Sequence, residues 1–129
     1  MKVVITFGTF DLFHYGHLRI LERARSLGDK LIVGISTDEF NVQKKNRKPI
    51  YSFEERKAII QGLKCVDHVF PEESMDLKTQ YIKKYNADVL VMGDDWKDKF
   101  DGYAKEVVYL ERTPDISTTH YIKMLSHYK

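Results

Sequence analysis

The chain holds one cysteine, Cys65, among 129 residues, which excludes an internal disulfide and fits a reducing compartment. Its setting in Leu63-Lys64-Cys65-Val66 reads as a buried structural thiol rather than a reactive one. No apolar run approaches the roughly 18 residues that would span a bilayer, and no charged-then-apolar leader precedes the first apolar segment, so membrane insertion is not expected and a cytoplasmic protein is. Charge of one sign is scarce as well. With 21 basic and 19 acidic residues the formal net charge is +2, too little to call for nucleic acid or an anionic membrane as partner. The basic residues that matter are therefore expected to act locally. Internal repeats and low-complexity tracts are lacking. At this length, with 43% hydrophobic residues, one domain over residues 1–129 with a single core is expected.

Apolar runs of strand length alternate with helical patterns. Val3 to Phe7, Lys30 to Ser36, Val66 to Phe70, Val89 to Met92 (closed by Gly93) and Glu106 to Leu110 read as strands. Helices are expected from about Gly16 to Leu27, with Leu18, Leu21, Ala24 and Leu27 inward, and from Leu77 to Tyr85, with Tyr81, Ile82 and Tyr85 inward. A further helix starts at Ser52, whose hydroxyl can cap a first turn carrying Glu54 and Glu55, with Ile59, Ile60 and Leu63 as its buried stripe. Ser117 can cap a terminal helix through Leu125. Asn41 to Pro49, polar and basic, and Asp94 to Tyr103, charged with interleaved aromatic residues, read as mobile loops. Five strands alternating with helices predict an α/β domain with a parallel sheet covered on both faces and ligands beyond the carboxyl ends of the strands. Gly8 to Asp11, Gly93 to Trp96 and Arg112 to Thr119 would then ring one rim.

The first of these loops holds the main chemical signal, Gly8-Thr9-Phe10-Asp11-Leu12-Phe13-His14-Tyr15-Gly16-His17. It sets two imidazoles three residues apart where a strand gives way to a helix. The N–H groups of a helix N-terminus and its dipole favour an anion there, and Gly16 allows close approach of a ligand to the backbone. His14 and His17 can donate to phosphate oxygens as charge builds on them. A plainer reading has one histidine capping the turn and the other on the surface. Zinc finds little support, because no Cys pair or H-x-x-x-H helix face supplies further ligands.

Arg112-Thr113-Pro114-Asp115-Ile116-Ser117-Thr118-Thr119 is the second signal, with hydroxyls and a helix N-terminus one loop away from a guanidinium that can pair with phosphate or base acceptors. An ordinary Ser N-cap beside a surface Arg is the competing reading. Lys44 and Lys45 stand either as anion-binding cations or as solvated charge, and Trp96 either as a cover for the ligand or packed on its own loop.

The blocks GTFDLFHYGH, ISTDEFN, YSFEERK, VDHVFPE, VMGDDW and RTPDISTT cover nearly the whole chain. In order and spacing they resemble the small cytidylyltransferases of the H-x-G-H nucleotidyltransferase superfamily, and among them those that act on glycerol 3-phosphate. The resemblance implies a Rossmann-like domain that transfers CMP from CTP to glycerol 3-phosphate by direct in-line displacement. Carried over by position, Thr9, Phe10, His14, Tyr15, Gly16, His17, Arg112, Thr113, Ser117, Thr118 and Thr119 would bind the nucleotide, and Asp11, Gly93, Asp94 and Ile116 are expected at the same site. His14, His17, Lys44 and Arg112 would carry catalysis, and Lys44 and Lys78 would grip the acceptor phosphate. Mg²⁺ on the triphosphate would be the cofactor, with Asp11 or Asp94 holding it through water; Asp11 reads equally well as a turn-stabilising residue. A homodimer is implied, joined through the Ser52 helix and the Val66-Asp67 turn.

The chain departs from the family pattern at Asp115, where Gly is usual, at Asn46, where a second lysine is common, and at Lys64, where an arginine is usual. An aromatic residue expected just after Pro71-Glu72 is absent, with Met75 nearest. Three alternatives stay open. They are another small phosphate ester such as phosphocholine or phosphoethanolamine as acceptor, ATP in place of CTP, and a nucleotide-binding module without catalysis.

Overall fold

The computed structural model describes residues 1–111 and 118–127, and of Thr118 the backbone alone. Its strands are β1 (Val3–Gly8), β2 (Lys30–Ser36), β3 (His68–Glu72), β4 (Val89–Gly93) and β5 (Glu106–Leu110). Its helices are α1 (Tyr15–Arg25), α2 (Asp38–Lys45), α3 (Phe53–Gln61), α4 (Lys78–Lys84) and α5 (Thr118–Ser126). The five strands form one parallel sheet in the order β3-β2-β1-β4-β5. The chain winds outward from β1 to β3 and then crosses back to lay β4 on the other side of β1. That reversal opens a crevice at the carboxyl ends of β1 and β4, the switch point where α/β sheets bind ligands.

Strand periodicity builds the two faces, since successive side chains point to opposite sides. Val4, Leu31, Val33, Ile35, Val89 and Val91 join Leu21 and Ala24 of α1 and Ile60 of α3 in one cluster. Ile5, Phe7, Ile32, Leu90 and Met92 join Ile82 of α4 and Phe100 in the other. Because both faces are covered, the strands read as continuous apolar runs. At the amino-terminal rim one device recurs: Asp29, Asp67 and Asp88, each shortly before a strand, accept the N–H groups of Lys2, Leu31 and Val3 at 2.7, 2.8 and 2.9 Å. The Val3 N–H holds the Asp88 carboxyl below its ordinary range.

Two expected loops are more ordered than their polarity suggests. Residues 41–45 of the basic stretch belong to α2, which starts where the Thr37 hydroxyl accepts from Phe40 N and ends at Asn46 in the left-handed region (φ 58°). A capping threonine followed by Asp38 and Glu39 favours a helix here, and Phe40 and Asn41 are buried. In the Asp94 to Tyr103 segment, a short 3₁₀ turn over Asp94–Trp96 leads to Phe100, which is buried in the second cluster. The Tyr109 hydroxyl accepts from Phe100 N and donates to Asp101, each at 2.9 Å, tying the segment to β5. The Ser52 helix forms with its capping box, but only Ile60 of the expected stripe is fully buried, and its other buried residue is Arg56. β3 lies two residues later than expected, taking in Pro71 and Glu72.

Gly34 shows how the sheet feeds the site. A Cβ there would lie 2.7 Å from the rings of both Phe7 and Phe70, which meet edge to face at 5.8 Å above it. Gly34→Ala is therefore expected to lower stability by about 1–3 kcal/mol through overpacking. Gly62→Ala should be neutral or stabilising by up to about 1 kcal/mol, because Gly62 has φ −80° and no neighbour nearer than 3.5 Å to the new methyl. Urea unfolding of the two variants checks the contrast, and equal midpoints would contradict it.

Candidate active site

A cavity of about 440 Å³ occupies the crevice above β1 and β4, within the usual range for small-ligand sites. Its lining draws on the motif turn, the end of α2, the end of β3, the start of α4, the turn after β4 and Thr119 of α5. The motif turn is held in an unusual path. Phe10 and Leu12 have φ of 55° and 48°, left-handed values that cost a non-glycine residue free energy and persist where the surroundings enforce them. Phe10 anchors the turn by burying its ring in the first cluster, and its ring atoms lie 2.8 Å from where a Cβ on Gly8 would stand.

Two histidines cap α1. His14 is the N-cap residue: its Nδ1 accepts from Gly16 N at 3.1 Å, while His17 Nδ1 accepts from His14 N at 3.2 Å. With each Nδ1 accepting, the proton of each neutral ring sits on Nε2. The rings stack at 3.8 Å with 23° between planes. Burial lowers the pKa of both, and His14 and the Lys45 cation push His17 further, to about 3. Both imidazoles are thus neutral Nε2–H donors at neutral pH. His14 Nε2 is buried and has no hydrogen-bond partner among the described residues. A buried donor left alone is costly, and a ligand oxygen in the cavity would satisfy it.

Arg56, fully buried, holds the turn from beneath. Its Nη1 donates to Thr9 O (2.9 Å) and Ser36 O (2.8 Å), its Nε to Tyr51 O (3.1 Å), and its Nη2 to Asp38 Oδ1 at 2.7 Å. Asn41 adds a second tie: it accepts from Thr9 Oγ1 at 2.9 Å and donates to Ser36 Oγ at 2.8 Å. Asp11 turns its carboxylate to the chain entering α3, accepting from Ile50 N (2.8 Å) and Tyr51 N (2.9 Å) through different oxygens. This is the geometry of a turn-stabilising residue.

The cations divide between two sides. Lys45 Nζ lies 3.4 Å from Thr9 Oγ1, beside the motif. Lys44 packs over the Phe40 ring at 4.8 Å. Burial, opposed by Glu72 and reinforced by Lys45, Lys78 and Arg56, lowers the Lys44 pKa to about 8. Lys78 is buried and pairs with buried Glu72 at 2.7 Å, its Nζ 3.8 Å from the Phe7 ring centroid. Burial lowers its pKa, and Glu72 opposes the shift.

Of the residues singled out in the sequence, the cavity brings together Thr9, Phe10, Asp11, His14, Gly16, His17, Lys44, Lys78, Gly93, Asp94 and Thr119. Trp96 lines it too, and also contacts Phe100 on its own loop, ring centroids 5.4 Å apart. Tyr15 is exposed and is not part of the lining. Arg112, Thr113, Asp115, Ile116 and Ser117 lie outside the described residues, as does the Thr118 side chain. Sequence reasoning missed Arg56, Asn41 and Glu72. Arg56 sits where a helical repeat from Phe53 would bury a residue, which was the one available signal. Among the described residues no group of three His, Cys, Asp or Glu side chains is placed to hold a metal ion.

The parallel sheet, the switch-point cavity and a helix N-terminus fitted with two neutral imidazole donors define a nucleotide-binding α/β domain of the Rossmann type. A family model described as cytidylyltransferase-like matches residues 5–126, and the chain belongs to that family. The glycerol-3-phosphate cytidylyltransferase of Bacillus subtilis strain 168 is 56% identical over 121 residues, 92% of this chain and 93% of that protein. The protein of the same name from Staphylococcus aureus strain NCTC 8325 / PS 47 is 50% identical, over 92% of this chain and 91% of its own. Among solved structures, a lipopolysaccharide core biosynthesis protein from Thermoplasma volcanium GSS1 superposes with a TM-score of 0.77 at 26% identity, covering 88% of this chain and 98% of that one.

The lowered histidine pKa values make stability depend on pH. Below pH 6.5 the unfolded chain takes up a proton on His17 that the folded chain refuses until about pH 3, so stability falls as pH drops through that window. For one such site the loss between pH 7 and pH 5 is about 2 kcal/mol, and His14 adds to it in the same direction. His17→Asn should flatten the dependence, as urea unfolding at pH 7, 6 and 5 would reveal. Parallel stability curves for the two proteins would contradict the assignment.

Proposed function

We propose that this protein transfers CMP from CTP to glycerol 3-phosphate, giving CDP-glycerol and pyrophosphate. The observation that carries the reading is the unpartnered Nε2 donor of His14, stacked on His17 at a helix N-terminus inside the switch-point cavity. The names of the curated relatives, at 50% and 56% identity over nearly the whole chain, supply the nucleotide and the acceptor.

The chemistry needs no protein nucleophile. A phosphate monoester has a second pKa of about 6, so its attacking oxygen is already largely deprotonated at neutral pH and requires no strong base. The protein's task is to place that oxygen in line with the α-phosphorus and to stabilise the charge that develops there. His14 and His17 suit that task as neutral donors because their tautomers are already set by backbone N–H groups and need no rearrangement as charge builds. Lys45 lies on the nucleotide side and Lys44 on the acceptor side, where each would screen repulsion between two anions. Arg112, Thr113 and the Ser117 to Thr119 segment would complete the triphosphate and base contacts. Mg²⁺ would enter as part of the CTP substrate and neutralise the leaving pyrophosphate. Asp11 and Asp94 both line the cavity, and either would meet it through water. The active unit in this reading is one domain over residues 1–129, working as a cytoplasmic homodimer.

His17→Ala and His14→Ala are each expected to lower kcat by about 10²–10³ while changing the KM for CTP much less, since the bonds lost strengthen in the transition state. Steady-state pyrophosphate release measures both constants, and near-normal kcat in both variants would sink the assignment. The Lys44 pKa of about 8 gives a second test. Lys44 meets the acceptor anion only when protonated, so kcat/KM for glycerol 3-phosphate should fall as pH rises past about 8. Lys44→Arg should carry that limb above pH 9, because a guanidinium keeps its proton to a pKa above roughly 12. A limb that stays in place in Lys44→Arg would return Lys44 to ordinary surface charge.

A further inference from the structure

The Glu72–Lys78 pair at the cavity wall offers more than charge. Glu72 ends β3 and Lys78 opens α4. Both line the cavity, both are 2% exposed, and Lys78 Nζ donates to Glu72 Oε2 at 2.7 Å. The ammonium lies against the Phe7 ring at 3.8 Å and makes no other hydrogen bond among the described residues. Of its three N–H groups, one therefore serves Glu72, the Phe7 ring and, at 5.3 Å, the Phe100 ring lie against the others, and no second oxygen acceptor is met among the described residues, so donor capacity remains. Glu72 Oε1 likewise has no hydrogen-bond partner among the described residues. The pair thus presents a spare donor beside a spare acceptor, held in place by the Phe7 ring and the strand end.

A phosphate dianion matches only half of that arrangement, because its oxygens would be repelled by the adjacent carboxylate. A hydroxyl group matches both halves, since it donates through its proton and accepts through its lone pairs. Lys44 differs: the Glu72 charge reaches it only at longer range, it makes no ion pair with a carboxylate among the described residues, and it packs on Phe40. We propose that the Glu72–Lys78 pair reads the hydroxyl groups of the acceptor, leaving its phosphate to Lys44. The inference rests on the glycerol 3-phosphate reading above and deepens it: the acceptor class is a small phosphate monoester carrying hydroxyls, and Lys78 moves from the phosphate end to the polyol end. An acceptor tail without hydroxyls, such as a quaternary ammonium or an alkyl chain, would leave both buried groups unanswered. Sites built to bond a substrate hydroxyl reject analogues lacking it by as much as about 10⁴–10⁵.

The test compares glycerol 3-phosphate with propyl phosphate, which keeps the phosphate and lacks the hydroxyls, following CDP-ester formation by the full chain. The wild-type protein should favour glycerol 3-phosphate in kcat/KM by about a hundredfold or more. Glu72→Gln should cut that ratio at least tenfold by losing activity toward glycerol 3-phosphate alone, with the KM for CTP unchanged. Breaking a buried pair can unfold a protein, so the double variant Glu72→Leu/Lys78→Met, which strands no charge, serves as the second probe and should bring the ratio close to one. Lys44→Ala, by contrast, should raise the KM for both esters by the same factor. A wild-type ratio near one, or a loss in both Glu72 variants that falls equally on the two acceptors, would overturn the proposal while leaving the function intact. Should neither variant fold, the wild-type ratio decides. Absence of any CDP-glycerol from the wild-type protein would instead overturn the glycerol 3-phosphate reading itself, and this proposal with it.

Discussion

The site depends on one buried guanidinium. Carbonyls at the carboxyl ends of parallel strands and in the turns beyond them need donors once water is excluded. Arg56 answers three of them, from Thr9, Ser36 and Tyr51, and closes on the Asp38 carboxylate at the start of α2. The end of β2, the motif turn, the start of α2 and the entry to α3 are thereby referred to one rigid planar group. Most of the partners are carbonyls rather than a matching anion, so the group acts as a geometric hub more than as a salt bridge, and a lysine could not reproduce its fork. Asp11 and Asn41 repeat the principle on a smaller scale, each joining the motif turn to a segment distant in sequence.

On this frame the charges are segregated. The histidines are kept neutral by burial, helped at His17 by His14 and the Lys45 cation, so they offer directed donors without a standing positive charge. The standing charge belongs to lysines around them. Lys44 and Lys45 are neighbours in sequence on the last turn of α2 and both line the cavity, yet their surroundings differ: Lys44 packs on the Phe40 ring and feels the Glu72 charge, while Lys45 lies beside Thr9. A single helix end in this way sets two cations at one cavity without placing them on the same neighbours. Helix α2 begins from a cap that Arg56 also fixes through Asp38, so the positions of both lysines trace back to the same hub.

The parts of this arrangement visible in the sequence are those that repeat or obey a local rule. Five apolar runs gave the sheet, Ser52 with Glu54 and Glu55 marked the start of α3, and the spacing of His14 and His17 placed them on a helix N-terminus. Helix α2 was obscured because its surface is polar and basic, and a count of polar residues outweighed the Thr37 cap and the burial of Phe40 and Asn41. Arg56 and Glu72 were hidden for another reason. Charged side chains are expected outside; the helical repeat from Phe53 marks position 56 as inward, but the partners that satisfy a buried charge there lie 5–47 positions away, and that of Glu72 lies 6 away on another element. Asp11 stayed ambiguous in the sequence because its partners, Ile50 and Tyr51, lie across the fold.

The three aspartates at the amino-terminal rim bear on how such a protein can change over time. Asp29, Asp67 and Asp88 fasten the starts of the inner strands at the end of the sheet opposite the cavity, through backbone N–H groups that every residue except proline provides. Their hold does not depend on which side chains the opposite rim displays. Substitutions in the cavity walls can therefore accumulate on a platform whose alignment is secured elsewhere, and new ligand preferences can arise without the sheet being rebuilt.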